Sequence, residues 1–252
     1  MLAAERHEKI VRVVLERGSA RVAELSRLCG VTEETIRRDL DRLEASGRLR
    51  RSHGGAVGVQ TPPETPYFER EMLSVEEKRN IARLALEFIE PGERIILDAS
   101  TTAWHMASMM PDITLTVLTN SINVAKELSV KEKMEVICTG GVLSPLSLSF
   151  VGPLAERSLE RYYVNKAFLS CKGLHPEKGV SESNEDQARV KSKMIEQADE
   201  VFLLADSSKI GVQAFTRVAS WEAIRKVVTD AEAPADFVAQ LSGLGIEVIQ
   251  IE

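Results

Sequence analysis

Three prolines lie close together in the run Gln60-Thr-Pro-Pro-Glu-Thr-Pro66. Proline has no backbone N–H and a fixed φ, so neither a helix nor a central strand continues through this run. Proline-rich segments act instead as stiff, extended connections. The run therefore divides the 252-residue chain into a short head and a longer body. We expect the head at residues 1–58, a linker at residues 59–74 and the body at residues 75–252.

The head and the body differ in charge. Over the whole chain there are 32 Lys and Arg and 38 Asp and Glu, and this net charge of −6 argues by itself against a nucleic-acid partner. Residues 1–58 hold 12 Lys and Arg and 9 Asp and Glu, a net charge of +3, whereas the rest holds 20 and 29, a net charge of −9. Nucleic acid thus remains a plausible partner for the weakly basic head alone.

The composition indicates a folded, cytoplasmic protein without a membrane segment. Hydrophobic residues make up 44% of the chain and charged residues 28%, which is ordinary globular usage. No apolar run is long enough to span a bilayer, and charges occupy the N-terminus where a signal peptide needs an apolar core. Cys29, Cys138 and Cys171 lie far apart and are odd in number, so we expect no disulfide, no zinc site and no other metal or cofactor.

Apolar residues recur at helical spacing in three stretches of the head. The first stretch runs from residue 2 to residue 17 and ends at a glycine, and the second covers residues 22–28. The third begins at Thr32, whose hydroxyl can cap the free backbone N–H groups of the helix. Its buried face is predicted to carry Ile36, Leu40 and Leu43. Residues 48–56 are then typical of a small hairpin, or wing.

Two short helices joined by a turn that contains Gly30 fit a helix-turn-helix, in which the second helix enters the major groove of DNA. The predicted DNA contacts are Thr32, Glu34, Thr35, Arg37, Arg38 and Arg42 on this helix, and Arg48, Arg50, Arg51 and His53 on the wing. Thr35 and Arg38 are candidate base readers, while Arg37 and Arg42 are expected to meet phosphates. The alternative is a solvated helix face on which Arg37 pairs with Asp41.

Three motifs in the head match a known family. They are Arg6-x-x-x-Ile10, Val31-Thr-Glu-Glu-Thr-Ile-Arg-Arg-Asp-Leu40 and Arg51-Ser-His-Gly-Gly-Ala56. Through them, residues 6–56 resemble the N-terminal signature of the DeoR family of bacterial transcription regulators. The resemblance implies a winged helix-turn-helix domain that binds double-stranded operator DNA.

Strand and helix patterns alternate along the body, which predicts a doubly wound, mostly parallel α/β sheet. Strands are predicted at residues 94–98, 114–118, 135–139, 166–170, 201–205, 226–229 and 246–251. Helices are predicted at residues 75–88, 103–110, 122–128, 185–197 and 233–241. The fold class is therefore α/β, with a winged helix-turn-helix domain before a larger doubly wound domain.

Four predicted strands are followed by loops rich in hydroxyl, glycine or lysine residues. The loops are Asp98-Ala-Ser-Thr-Thr102, Thr119-Asn-Ser121, Gly140-Gly141 and Asp206-Ser-Ser-Lys209. Ligands of open parallel sheets bind at the carboxyl ends of the strands, and a helix N-terminus suits a phosphate. Each loop alone is equally typical of a helix cap or a turn. Their repetition at one edge predicts a site for a phosphorylated small molecule.

The same loops, together with Ser149-Phe-Val-Gly-Pro-Leu-Ala155, Asn165-Lys-Ala-Phe168 and Gln187-Ala-Arg-Val-Lys191, resemble the C-terminal effector domain of the DeoR family. That domain is similar to ribose-5-phosphate isomerase. The resemblance implies that residues 100–102 hold a phosphate, that Lys209 contacts the anionic end of the ligand and that Lys191 lines the pocket. The predicted effector-binding residues are Asp98, Ser100, Thr101, Thr102, Thr119, Asn120, Ser121, Gly140, Gly141, Lys172, Gln187, Lys191 and Lys209.

Two positions of this chain depart from the family pattern. Lys172 stands where relatives commonly have a carboxylate, and Gln187 stands where relatives and the isomerases keep a glutamate. A carboxamide cannot act as the base that isomerisation requires, so we expect a binding protein with no catalytic residues rather than an enzyme. The alternative is a sugar-phosphate isomerase-like enzyme with an accessory DNA-binding head, in which Glu182, Glu185 or Asp186 supplies the base.

The resemblance implies a transcriptional regulator, and specifically a repressor of a carbohydrate catabolic operon that a phosphorylated sugar relieves. The runs Leu97-Asp-Ala-Ser-Thr-Thr-Ala-Trp104 and Phe168-Leu-Ser-Cys-Lys-Gly173 are similar to the branch of the family associated with deoxyhexose (rhamnose) catabolism. A ketose 1-phosphate is the effector that this branch implies. Symmetric half-sites on DNA require a homo-oligomer, either a dimer or a tetramer.

Overall fold

The computed structural model of the chain describes residues 2–45, 48–52, 54–58 and 64–251. The chain divides into two compact units, Met1–Leu73 and Ser74–Glu252. The first unit contains the predicted head and the described end of the predicted linker, and the second contains the predicted body.

The head consists of three helices and a three-stranded antiparallel sheet. Its elements are α1 (Ala3–Arg17), β1 (Ser19–Arg21), α2 (Val22–Cys29), α3 (Glu33–Ala45), β2 (Leu49–Ser52) and β3 (Gly55–Gly58). Ile10, Leu25, Ile36, Leu40 and Leu43 are fully buried between the helices, as their helical spacing predicts. Strand β3 lies between β1 and β2, so the predicted wing is joined by one more strand.

Strand β1 was not predicted, because three residues between two helices are too few to show an alternating pattern. Its pairing with β3 depends on a close backbone approach at Gly55, where a Cβ atom would lie 2.2 Å from the carbonyl oxygen of Ala20. Gly55 is therefore required for packing inside the head. The close backbone approach that Gly55 permits is to β1 of the same unit.

The described end of the predicted linker is folded. Helix α4 (Tyr67–Glu71) begins directly after Pro66, a position where proline is tolerated. Glu69 of this helix accepts a hydrogen bond from Nη1 of Arg48, with 3.0 Å between the two atoms. Residues 64–73 thus form part of the first unit, and an ion pair ties them to the head.

The body contains a parallel sheet, two smaller sheets and six helices among its described residues. In chain order they are α5 (Val75–Leu86), β4 (Arg94–Leu97), α6 (Thr101–Met109), β5 (Leu115–Thr119), α7 (Ile122–Leu128), β6 (Met134–Cys138), β7 (Val142–Ser144), β8 (Ser149–Val151), α8 (Pro153–Leu159), β9 (Val164–Leu169), β10 (Gly173–His175), β11 (Gly179–Glu182), α9 (Glu185–Glu196), β12 (Ala198–Leu204), β13 (Thr216–Ala219), β14 (Lys226–Thr229), α10 (Ala235–Gly243) and β15 (Glu247–Gln250).

Seven strands form the main sheet, in the order β15-β14-β12-β9-β4-β5-β6, and every neighbouring pair is parallel. Side chains alternate between two cores along each strand: Ile96 packs with residues of α8, α9 and α10, whereas Ile95 and Leu97 pack with residues of α5, α6 and α7. The sheet is therefore covered on both faces, and the predicted doubly wound α/β architecture is confirmed.

The antiparallel parts of the body were not predicted. Strands β7 and β8 form a hairpin over residues 142–151, and β10, β11 and β13 form a separate three-stranded sheet. Each of these strands has only three or four residues, which is too short for a clear period-two pattern. The hairpin is nevertheless important, because it lies against the carboxyl edge of the main sheet, where Phe150 N donates to Asn120 O.

All three cysteines are unpaired, with Cys29 and Cys171 buried and Cys138 exposed. None of the helices in the described parts of the chain is long and apolar enough to cross a membrane. Within the same parts, no group of three or more His, Cys, Asp or Glu residues is arranged to hold a metal ion.

Candidate functional site

The N-terminus of α3 has the geometry of a capped recognition helix. Thr32 Oγ1 accepts a hydrogen bond from the backbone N–H of Thr35, with 3.2 Å between the atoms, so the predicted cap is present. The two threonine hydroxyls also lie 2.9 Å apart. Ile36, Leu40 and Leu43 face the core, and the predicted DNA-contacting residues of this helix lie on the opposite, accessible side.

Arg37 and Arg38 of α3 take part in exposed surface ion pairs. Arg37 lies 2.8 Å from Glu33, and Arg38 lies 3.3 Å from Glu34. The predicted alternative pair of Arg37 with Asp41 is absent, because Asp41 pairs with Arg51 of the wing instead. Exposed pairs of this kind contribute about 0–1 kcal/mol. The arginines can therefore exchange these partners for phosphates or base edges at little energetic cost.

The wing residue Arg51 connects β2 to α3. Its guanidinium pairs with Asp41 and donates to the carbonyl oxygen of Arg37 at 3.2 Å, and its backbone N–H donates to Glu44 at 2.7 Å. The wing is thus held against the C-terminal half of α3. For Arg50 the structure describes the backbone alone, and His53 lies outside the described residues.

Arg48 differs from Arg51 because its side chain is only 3% exposed, against 30% for that of Arg51. Its two terminal nitrogens pair with Glu8 of α1 and Glu69 of α4. Arg48 is one of the predicted DNA contacts on the wing. In the structure its charge is instead neutralised inside the first unit, because two carboxylates from distant parts of the chain converge on it.

A buried charge cluster on the inner face of α3 orients this helix. Asp39 lies on the inner face of α3 and accepts hydrogen bonds from Nε and Nη2 of Arg6, at 2.6 and 3.1 Å, while Nε2 of His7 lies 2.9 Å from its Oδ1. Burial alone would raise the pKa of Asp39, but the hydrogen bonds from Arg6 and His7 lower it below its ordinary value. The motifs that carry the family resemblance include Arg6 and Asp39, but no role could be predicted for either residue from the sequence.

In the body, the direction of the strand order changes between β4 and β9, which defines the crevice where ligands of such sheets bind. Asp98 follows β4 and is fully buried in this crevice. Its Oδ1 accepts from the N–H of Ser100 and its Oδ2 from the N–H of Ser170, which follows β9, both at 3.0 Å. Asp98 therefore fastens together the loops that follow the two central strands.

Lys191 of α9 lies in the same crevice and its three ammonium hydrogens have three acceptors. Its Nζ lies 2.6 Å from the carbonyl oxygen of Ser170 and 3.2 Å from Oδ2 of Asp98, and it forms an ion pair with Glu182. Burial lowers the pKa of Lys191, but Glu182 and Asp98 outweigh this effect and raise the pKa above its ordinary value. Burial also raises the pKa of the nearby Cys171 thiol to about 12. Lys191 therefore stays charged, and the two carboxylates compensate its charge.

The predicted phosphate loop forms the N-terminus of α6. Ser100 caps the helix, since its Oγ accepts from the N–H of Ala103 at 3.0 Å. The next residues, Thr101 and Thr102, occupy the first turn of the helix, where backbone N–H groups have no partner within the helix. Their hydroxyls and N–H groups are the donors that a phosphate requires.

The loop after β5 is built in the same way. Thr119 Oγ1 accepts from the N–H of Ser121, and Ser121 caps α7 by accepting from the N–H of Val124. Asn120 donates from Nδ2 to the carbonyl oxygen of Phe150, but its buried Oδ1 has no hydrogen-bond partner among the described residues. Buried acceptors without a donor are rare, so this oxygen marks a place for a ligand hydroxyl or a water molecule.

Gly140 and Gly141 follow β6 and both have positive φ. A Cβ atom at Gly141 would lie 2.8 Å from the carbonyl oxygen of Val151, so glycine is needed there for the hairpin to return along the sheet edge. These two glycines therefore shape the edge beside the crevice, and their structural role does not depend on a ligand.

Gln187 is buried and faces the hairpin. Its Nε2 donates to the hydroxyls of Ser147 and Ser149, at 2.6 and 2.7 Å, and these hydroxyls lie 2.9 Å from each other. Leu148, between the two serines, has a φ of 49°, a left-handed conformation that is strained for leucine. Gln187 therefore fixes the hairpin beside the crevice, a role that the sequence does not reveal.

Lys209 lies on the loop after β12. The backbone of this loop is held by Asp230, whose Oδ2 accepts from the N–H of Ser207 at 2.7 Å. The ammonium of Lys209 makes no hydrogen bond or ion pair with the residues that the structure describes. Lys172 follows Cys171 and is partly exposed, and its backbone N–H donates to Ser181 at 3.1 Å. Lys209 is thus the predicted pocket cation best able to meet an anion.

Two family models match the chain, one on each unit. Residues 6–61 match the DeoR-like helix-turn-helix domain, and residues 73–231 match the DeoR C terminal sensor domain. Together the two matches cover the predicted recognition helix, the wing and the loops around the crevice.

Curated relatives are similar over nearly the whole chain. An uncharacterized HTH-type transcriptional regulator of Bacillus subtilis, YulB, is 52% identical over 100% of this chain and 98% of its own length. A putative aga operon transcriptional repressor of Escherichia coli O157:H7 is 38% identical over 98% of this chain and 94% of its own length. An L-fucose operon activator of Haemophilus influenzae is 39% identical, over 91% and 92% of the two chains.

These relatives are regulators, so the prediction of a regulator rather than an enzyme is confirmed. The chain carries both domains of such a regulator in the expected order, a helix-turn-helix head and a sensor body. The chain belongs to the DeoR family of DNA-binding transcriptional regulators.

Proposed function

We propose that this protein represses a carbohydrate catabolic operon and that a phosphorylated sugar releases it from its operator. The observation that carries the proposal is the crevice at the centre of the parallel sheet. There, the capped N-terminus of α6, the buried Asn120 oxygen and the loop of Lys209 all lie at the carboxyl edge. A sugar phosphate needs this combination of anion donors and polar groups for hydroxyls.

DNA binding is assigned to the exposed face of α3 and to the wing. Thr35 and Arg38 are proposed to read base edges, and Arg37 and Arg42 to contact phosphates. Thr32, Glu34, Arg50, Arg51 and His53 complete the proposed contact set, from which Arg48 is removed because it is buried in an ion-pair cluster. The low energy of the surface pairs on α3 supports this assignment, since little stability is lost when DNA replaces them.

Within the crevice, residues 100–102 and Lys209 are proposed to bind the phosphate. Asp98, Asn120 and the loop of Thr119 and Ser121 are proposed to bind sugar hydroxyls. Lys191 is proposed to act through Asp98 and Glu182, whose orientation it fixes, because its own charge is compensated. Gln187, Gly140 and Gly141 shape the site, and Lys172 lies at its border.

The proposed effector is a deoxyhexose ketose 1-phosphate. The sequence run from Leu97 to Trp104 supports this choice, and so does the L-fucose operon activator among the relatives, because fucose is a deoxyhexose. Relief of repression is a linkage effect: the effector binds the DNA-free form more tightly, and the operator affinity falls by the same factor. Two heads in a homo-oligomer are proposed to contact the two halves of a symmetric operator.

The direct test is binding of the purified full-length protein to DNA from the promoter of its neighbouring operon, measured by fluorescence anisotropy. We expect binding at nanomolar to micromolar protein that weakens on addition of a deoxyhexose ketose 1-phosphate. The matched controls are the unphosphorylated ketose and inorganic phosphate, neither of which should release the DNA.

Two results would contradict the proposal in different ways. Absence of binding to any promoter fragment at low salt would remove the assignment of the head to operator DNA. Binding that no phosphorylated sugar changes, in a screen that includes aldose and ketose phosphates, would leave the head assigned and remove the sensor role of the crevice.

A further inference from the structure

We infer that the β7–β8 hairpin is the surface through which two copies of this chain associate. The hairpin projects apolar side chains into solvent: Val142 is 65% exposed and Leu143 is 49% exposed, and Leu146 at the turn and Leu154 at the start of α8 are also exposed. These four residues define the hairpin patch. Large exposed apolar side chains scattered singly are ordinary, but these four lie within 13 positions of the chain, on one hairpin and the first turn of the helix that follows it.

The hairpin patch lacks the charged side chains by which many edge strands avoid association. Exposed edges are usually protected by charged side chains or by a proline within the strand. Residues 136–155 contain no Asp, Glu, Lys, Arg or His, although 28% of the whole chain is charged. Strand β7 pairs with β8 on one side, and on its other side it has no partner strand among the described residues. An apolar edge without charges is therefore a surface on which another strand can pair.

Charge and symmetry indicate that a second copy covers it. Each copy carries a net charge of −6, concentrated in the body, so two bodies repel wherever their charged surfaces meet. The uncharged hairpin patch is a surface on which this repulsion is absent. An edge strand is also self-complementary, since two antiparallel copies of β7 can pair across a two-fold axis, as an isologous interface requires.

The hairpin is rigid enough to serve as an interface. Its inner side is fixed by the hydrogen bonds from Gln187 to Ser147 and Ser149 and by the hydrogen bond from Ile122 N to Leu148 O, at 3.1 Å. A pre-organised surface loses less conformational entropy on association. Since Gln187 lies one helical turn from Lys191 on α9, the patch and the crevice share one structural support. That two heads are needed rests on the proposed function. The evidence for the apolar patch does not depend on that function.

The first experiment is sedimentation velocity of the full chain, without DNA or effector, over a series of concentrations. We expect a dimer, and we expect Leu143→Asp to raise the dimer dissociation constant roughly tenfold or more. The matched control is Val130→Asp, which introduces the same charge at an exposed valine outside the patch and should leave the constant unchanged. Circular dichroism should confirm that both variants are folded.

A second experiment does not depend on destabilising the interface. In a Cys138→Ser background, Leu143→Cys should be cross-linked to a dimer by a short bismaleimide, whereas Val130→Cys should not. A wild-type chain that stays monomeric throughout the series would overturn the inference. So would a dimer that Leu143→Asp leaves as tight as the wild type. A monomeric chain would also remove the two-headed operator contact from the proposed function, whereas a dimer that Leu143→Asp leaves intact would overturn only the choice of surface.

Discussion

Nε of Arg6 lies 2.6 Å from Oδ2 of Asp39, and this buried contact joins the first helix of the head to the inner face of the recognition helix. A helix that reads bases must present its side chains at a fixed angle, which the packing of Ile36, Leu40 and Leu43 in the core helps to set. The two hydrogen bonds from the planar guanidinium to one carboxylate add a directional constraint. Arg6 and Asp39 therefore act as positioning residues for α3.

The first prediction concerns the stability of the head. Asp39→Ala leaves the Arg6 charge buried without its partner, so we expect α3 to lose about 3 kcal/mol of stability. Amide hydrogen exchange of α3 in the full chain measures this loss. The control is Asp41→Ala, which removes an exposed partner of Arg51 and should cost less than about 1 kcal/mol. Equal protection factors in the two variants would show that the buried pair has no special role.

The second prediction is the pH dependence of that contribution. Because the pKa of Asp39 is lower in the folded head than in the unfolded chain, the carboxylate stabilises the folded form above its unfolded pKa of about 4. The contribution is lost as the pH falls through the lower, folded pKa. The difference in α3 protection between the wild type and Asp39→Asn should therefore be full at pH 5 and smaller at pH 3. A difference that does not shrink would mean that Asp39 acts by packing alone.

Much of the body could be predicted because its signals are local. The alternation of apolar strands with amphipathic helices indicates a parallel sheet, and parallel strands bring their carboxyl ends to one edge. The convergence of Asp98 and Ser170 follows from this topology, although the two residues are 72 positions apart. The caps at Thr32, Ser100 and Ser121 could be predicted for the same reason, since a cap depends on residues within one helical turn.

The remaining features depend on partners that no local pattern specifies. Arg48 has the residue type and the position expected of a DNA contact on the wing, yet Glu8 and Glu69 from distant segments pair with it. Gln187 has the position of an isomerase base, yet two serines of an unpredicted hairpin surround its amide. In both cases the partners come from segments far away in the chain, so the sequence around the residue does not reveal that its polar group is already engaged.

The third prediction separates these two roles at Gln187. Gln187→Leu removes both hydrogen bonds and leaves the buried hydroxyls of Ser147 and Ser149 with one partner fewer, so we expect a loss of about 1–3 kcal/mol in stability of the body. Gln187→Glu offers carboxylate oxygens that accept from both hydroxyls and should lose less. Thermal unfolding compares the two variants. If Gln187→Leu unfolds at the wild-type temperature but no longer binds a sugar phosphate, Gln187 is a ligand contact instead.

The fourth prediction divides the arginines of α3 by role. Arg38→Ala should lower operator affinity by about 1–3 kcal/mol and reduce the discrimination between the operator and a mutated operator. Arg42→Ala should weaken binding to all sequences alike and lower the slope of log affinity against log salt concentration by about one. Arg189→Ala is the control, since this exposed arginine of the body pairs with its helix neighbour Glu185. Identical effects of the first two variants would refute the division.

The fifth prediction concerns Lys209, whose ammonium is not engaged by the described residues and whose loop lies at the carboxyl edge of β12. Lys209→Ala breaks no ion pair, so the melting temperature without ligand should not change. A ketose 1-phosphate that raises the melting temperature of the wild type should raise that of the variant less, with a roughly tenfold weaker affinity from the lost charge-assisted hydrogen bond. Lys126→Ala, at an exposed position of α7, should bind the ligand as the wild type does.

Because inorganic phosphate lacks the sugar, its affinity reports on the phosphate-binding part of the site alone. If Lys209 binds the phosphate, Lys209→Ala should weaken the binding of inorganic phosphate and the binding of the sugar phosphate by similar factors. Equal ligand-induced shifts in Lys209→Ala and Lys126→Ala would exclude Lys209 from the site and leave the N-terminus of α6 as the remaining anion donor.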